Sequence, residues 1–112
     1  MPGARLRTVR PGKPFTLAPG WTVRLRGGPS LTFVAVESDS RCPVDVQCVW
    51  PGDAVVTVST GRSTFRLHTM RRTSVHLTAR LSLSLLALSP DRRDDLPIRQ
   101  DRYRARLRVD RE

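Results

Sequence analysis

Chemistry-bearing residues concentrate in one stretch of the 112-residue chain, Ser38 to Ala54, reading SDSRCPVDVQCVWPGDA. It holds both cysteines, Cys42 and Cys48, one of the two tryptophans, Trp50, and the acids Asp39, Asp45 and Asp53. Two cysteines this close allow three chemistries. A local disulfide would close a seven-residue loop and contribute roughly 2–2.5 kcal/mol through the entropy of the unfolded chain. A structural zinc site would need His68 and His76 as further ligands, but zinc cysteines are usually spaced by two to four residues and histidines by three to five. The gaps here are five and seven, a poor match. A redox pair normally uses C-x-x-C. Spacing therefore favours the disulfide. Calcium by Glu37, Asp39, Asp45 and Asp53 lacks EF-hand spacing and enough oxygen ligands. Neither a metal nor a cofactor is expected.

Within this stretch each residue has a local reading. Pro43 biases Cys42 towards an extended backbone, and Pro51-Gly52 signals a turn. Trp50 is expected to pack over the disulfide as an apolar lid. Asp39 is expected to pair with Arg41 or to accept backbone N–H groups at the loop entry. Asp39, Arg41, Asp45, Gln47, Trp50 and Asp53 are the candidate binding loop. Asp45 and Gln47, inside the closed loop, are the two that folding needs least.

The elements that must hold this loop read as β-structure. Residues 1–14 are rich in Pro, Gly and basic side chains and read as a flexible leader, with a single domain over 15–112. Phe15-Thr16-Leu17 begins the ordered part. In Trp21 to Arg26, Trp21, Val23 and Leu25 fall on one face and Thr22, Arg24 and Arg26 on the other, a half-buried strand. Leu31 to Val36 makes a hairpin with it. Ala54 to Ser59, dense in β-branched residues, is a strand in a well-covered position. Thr64 to Thr69, Ser74 to Thr78 and Ala79 to Leu88 continue the alternation, the last with Leu81, Leu83 and Leu85 opposite Ser82, Ser84 and Leu86. Asp91 to Asp95 is a charged loop. The final strand sets Tyr103, Ala105, Leu107 and Val109 inward against Arg102, Arg104, Arg106 and Arg108. Seven or eight short strands with regularly spaced turns predict an all-β fold, a small antiparallel sandwich or barrel.

The stretch Glu37 to Pro43, followed by Cys48-Val49-Trp50-Pro51-Gly52-Asp53-Ala54, resembles a small uncharacterised bacterial β-domain family. Its motif is close to D-S-R-C-P-x4-C-x-W-x-G. An opening F-x-L-x-x-G-x4-L matches Phe15, Leu17, Gly20 and Leu25. Ser89-Pro90 and Tyr103-x-Ala105-x-Leu107 extend the similarity to about residues 15–109. Ser38 and Pro51 stand where the family pattern has Asp and Ala. The resemblance implies an exported or lipoprotein-anchored domain and carries no known activity.

Compartment and partners follow from cysteine usage and charge. A disulfide points to an oxidising, extracytoplasmic setting, the periplasm or cell envelope. Residues 1–14 show no apolar signal-peptide core, so that reading needs a leader upstream of Met1; a genuine start there would make the protein cytoplasmic. No run is long and apolar enough to span a membrane as a helix. The net charge of +10 comes from 19 Arg and one Lys against 10 acids. Such a uniform use of Arg reads more simply as GC-rich codon usage than as selection for guanidinium chemistry. It nonetheless attracts polyanions.

Catalysis is not expected, because no nucleophile signature or phosphate loop is present. The leading functional expectation is a non-catalytic extracytoplasmic binding or structural domain, in contact with an envelope protein or a polyanion. The alternative is a nucleic-acid-binding barrel whose basic sheet face uses Arg24, Arg26, Arg66, Arg102, Arg104, Arg106 and Arg108. It lacks aromatic stacking residues among the arginines, and an edge strand protected by charge accounts for the same stripe.

Overall fold

The computed structural model describes residues 7–93 and 96–112. Among these described residues nine strands form two packed sheets: β1 (Arg7–Val9), β2 (Phe15–Leu17), β3 (Thr22–Leu25), β4 (Ser30–Asp39), β5 (Ala54–Ser59), β6 (Thr64–His68), β7 (Ser74–His76), β8 (Leu81–Ser89) and β9 (Arg104–Arg111). One sheet has the order β1-β3-β4-β5-β6, the other β2-β9-β8-β7. The predicted all-β class and antiparallel pairing hold throughout, apart from β1, which runs parallel to β3.

Period-two alternation puts one apolar row of each sheet into a shared core. Leu31, Phe33, Val36, Val56, Val58 and Leu67 come from the first sheet, and Leu17, Leu83, Leu107 and Val109 from the second. Among the described residues the ladders carry three register shifts, two in β4, between Phe33 and Ala35 and between Val36 and Ser38, and one in β8. In β4 the first shift, between Phe33 and Ala35, brings Val36 rather than Ala35 to the core, while Val34 stays on the solvent side. In β8 a shift between Leu85 and Ala87 leaves Leu86 outward, turns Ala87 outward as well and buries Leu88. Such bulges add one residue to a strand and reverse which parity points inward.

Three sequence expectations need correction. The leader is not loose over its whole length: Arg7–Val9 is a strand, Val9 is buried, and the Gly12 amide donates to the Val109 carbonyl. Residues 1–6 of that leader lie outside the described residues, as do Asp94 and Asp95 of the charged loop. Trp21 is not on the buried face. It sits in the turn before β3, its amide bonded to the Ala18 carbonyl, and is 54% exposed. Strand parity starts only at Thr22, so extrapolating it back to Trp21 fails. Third, β9 is no edge strand, because β2 and β8 flank it.

Antiparallel pairing sorts the connections to two poles. The turns after β1, β3, β5 and β7 are short and gather at one pole. The 40–53 loop, the 69–73 turn and the segment after β8 gather at the other. Near the second pole β3 has already ended, leaving one side of β4 without a neighbour. The Gln100 carboxamide takes that place, accepting from the Val36 amide at 3.0 Å and donating to the Val36 carbonyl at 2.9 Å.

Candidate functional site

The two ends of the 40–53 loop are pinned to each other. The Ser40 amide donates to the Asp53 carbonyl at 2.7 Å, and the Ser40 hydroxyl accepts from the Asp53 amide at 3.2 Å. One rung further out, the Cys42 amide donates to the Pro51 carbonyl at 2.9 Å. Gly52 makes this approach feasible. It has φ +75°, and a Cβ there would lie 1.9 Å from the Ser40 carbonyl oxygen. Only glycine tolerates both the left-handed conformation and the close backbone.

A second anchor ties the loop entry to the opposite sheet. Arg41 binds Asp39 through Nε to Oδ1 at 2.9 Å and Nη2 to Oδ2 at 2.8 Å. Its remaining donors reach the Leu88 and Pro90 carbonyls, both at 2.9 Å. The Tyr103 hydroxyl donates to Asp39 Oδ2 at 2.8 Å. The Arg41 amide also donates to Asp39 Oδ1, so the expected pairing and the expected backbone acceptance both occur. Burial raises the Asp39 pKa, but the hydrogen bonds from Arg41 and Tyr103 outweigh it and the net shift is downward. Burial likewise opposes charge on Arg41, and Asp39 reverses that, for a net rise. Burial, reinforced by the Asp39 carboxylate, pushes Tyr103 up to about 12. These groups form one closed, charged unit between the sheets.

The third anchor is Asp53 at the loop exit. Its carboxylate pairs with His68 Nδ1 at 2.5 Å and accepts from the Thr69 hydroxyl at 3.2 Å and the Met70 amide at 3.0 Å. Burial again raises this carboxyl, and the His68 contact and Met70 amide more than offset it, so its pKa is lowered. This places the Met70 turn beside the loop. On the other side, the Val44 amide donates to the Arg92 carbonyl at 2.8 Å.

Beyond these anchors, Cys42 and Cys48 are joined in a disulfide. Pro43 is buried, whereas Asp45 and Gln47 are exposed, as are Val44, Val46, Val49 and Trp50. The expected Trp50 lid is therefore wrong, because Trp50 is 70% exposed. The loop needs no apolar cover, since hydrogen bonds and the Asp39–Arg41–Tyr103 unit fill its base. Among the described residues no group of three or more His, Cys, Asp or Glu is arranged to hold a metal ion.

The arginines are not brought together. Arg24 on β3 and Arg66 on β6 belong to one sheet, with Arg26 just beyond β3, while Arg104, Arg106 and Arg108 belong to the other. Arg102 lies in the short 3-10 turn before β9. Arg66 pairs with Glu37 and Arg108 with Asp110. Arg104 lies 5.7 Å from the Trp21 ring centroid and donates to the Asp101 and Tyr103 carbonyls. An aromatic does adjoin the stripe, therefore, and it is one that strand parity had assigned to the core.

Sequence reasoning also missed Tyr103, Gln100, His68 and Met70 as parts of the loop's surroundings. Their only signals were a lone tyrosine and a methionine in a charged turn. No protein-family model, curated protein or solved structure matches the chain.

Proposed function

We propose that the chain is a non-catalytic extracytoplasmic binding domain whose contact surface is the pole formed by the disulfide-closed loop. The observation that carries this reading is the contrast inside the loop: an over-determined base holds Val44, Val46, Val49 and Trp50 out in solvent. Clustered exposed apolar side chains on a soluble surface mark interaction sites, and rigid anchoring lowers the ordering cost of binding. Tryptophan is among the residues that most often dominate interface energetics. The polar groups nearby are already engaged, Asp39 with Arg41 and Tyr103, Asp53 with His68, Thr69 and Met70, and the cysteines with each other. That favours a scaffold over a reaction centre. The disulfide and the family resemblance support an extracytoplasmic setting.

Retention of the purified protein on isolated bacterial envelopes tests the reading. Trp50→Ala should lower retention about tenfold, the loss of a typical aromatic anchor. Arg62→Ala, in the β5–β6 turn at the opposite pole, should leave it unchanged. Equal retention of Trp50→Ala and the parent protein would remove the loop as the contact.

A further inference from the structure

Resting on that reading of the pole, we propose that its partner is an anionic lipid surface, with Val49 and Trp50 entering the headgroup region. The shape of the tip points this way. Val44 and Val46 are exposed within the seven-residue disulfide ring, and fully exposed Val49 and exposed Trp50 follow directly after Cys48. An exposed apolar tip needs a partner that yields to it. A protein would have to offer a matching pocket, whereas a bilayer accepts any such tip.

Chemistry and charge agree with the shape. Tryptophan favours the membrane–water interface, where its apolar body and N–H group are both satisfied. Met70, 54% exposed, adjoins the loop through Asp53, and exposed Arg71 and Arg72 follow it in the same turn. Asp39 of this pole is neutralised internally by Arg41, and the Asp53 carboxylate is held by hydrogen bonds to His68, Thr69 and the Met70 amide. Asp45 and Asp91 stay exposed and oppose the attraction locally. The whole chain carries +10, which favours an anionic leaflet over a neutral one.

Backbone accounting limits the depth. The Cys42, Val44 and Val46 amides have partners within the protein, at Pro51, Arg92 and Pro43. Exposed Asp45 and Gln47, between and beside the valines, keep their polar side chains in water. Unpaired polar groups cannot enter hydrocarbon, so insertion stops at the headgroups.

The test uses the full disulfide-intact chain carrying Trp21→Phe, so that Trp50 alone reports. It is mixed with vesicles of equal parts phosphatidylglycerol and phosphatidylcholine, and with vesicles of phosphatidylcholine alone. Co-sedimentation is expected with the anionic vesicles only, weakening as salt rises, with Trp50 emission moving to shorter wavelength. Val49→Asp should cut binding about tenfold or more, and Val49→Ser should cut it less; Val49 contacts solvent, so both fold. No binding to anionic vesicles overturns the lipid assignment. So does binding with unshifted Trp50 emission and an unaffected Val49→Asp, which is adsorption by charge alone. Failure on vesicles combined with Trp50-dependent retention on envelopes overturns only the lipid assignment. Trp50-independent retention on envelopes overturns the pole itself.

Discussion

The two poles of the sandwich solve chain reversal differently. At one, β3 to β4 turns through Gly27, Gly28 and Pro29, and β5 to β6 through Thr60–Ser63, closed by the Thr60 amide on the Ser63 carbonyl. None of the exposed large apolar side chains lies in these turns. At the other, β4 to β5 takes fourteen residues, Ser40 to Asp53, bound by a disulfide and three polar anchors, and displays Val44, Val46, Val49 and Trp50. A turn that only reverses the chain needs glycine and a hydrogen bond. The longer loop has more structural support than reversal requires, and that support holds apolar groups in water. The difference is that one pole reverses the chain with little support while the other anchors a tip of exposed apolar residues.

Glycine substitution separates the poles most widely. Gly52→Ala drives a Cβ into the Ser40 carbonyl and should cost more than about 4 kcal/mol, in the exceptional range for a single substitution. Gly61→Ala, at φ +89° with nothing within 4 Å, should cost about 1–2 kcal/mol, the left-handed penalty alone. Urea denaturation of both variants measures the gap; equal costs would mean the loop base is not closed as described.

Ion pairs give the next contrast. Asp39→Ala strands Arg41, whose side chain is 14% exposed, and should cost about 3 kcal/mol. Asp110→Ala, near the turn pole, breaks a pair that is 38% exposed on both sides and should change stability by less than about 0.5 kcal/mol.

Much of this was legible in the sequence, and what was missed shares one cause. β-Branched density identified β5, alternation identified β8, β9 and the inward Tyr103, and cysteine spacing identified the disulfide, because all of these depend on residues near in sequence. Alternation failed at Trp21, where a turn breaks the phase, and it cannot foresee Val36 and Leu88, which bulges turn inward. The Trp50 lid failed because Tyr103 and Arg41, 62 residues apart, meet on Asp39 and leave the tryptophan nothing to cover. The scattering of the arginines over two sheets was invisible for the same reason, since strand order is a long-range property.

pH addresses the same anchor. Tyr103 rises from its ordinary 10.0 to about 12 in the folded state. Its contribution is therefore complete below pH 10 and lost as pH climbs to about 12, at most about 3 kcal/mol. Tyr103→Phe should abolish this alkaline loss in denaturation curves. Asp39 and Asp53 act oppositely. Their pKa values fall below the ordinary 3.8, so their contribution is complete above that value and lost as pH drops through the folded-state values.

Reducing the Cys42–Cys48 bond should cost roughly 2–2.5 kcal/mol from the seven-residue closure, less than losing Asp39, because the polar anchors persist. A larger loss would make the disulfide the principal anchor.

The smallest stability effect belongs to the tip itself, on which the proposed binding function rests. Trp50 in its native setting is the most direct probe. In the Trp21→Phe chain, without any partner, Trp50 should emit at the long wavelength of a hydrated indole, and acrylamide should quench it nearly as fast as free tryptophan, as its 70% exposure requires. Short-wavelength emission with strong protection from acrylamide would place Trp50 over the disulfide and contradict an outward-held tip.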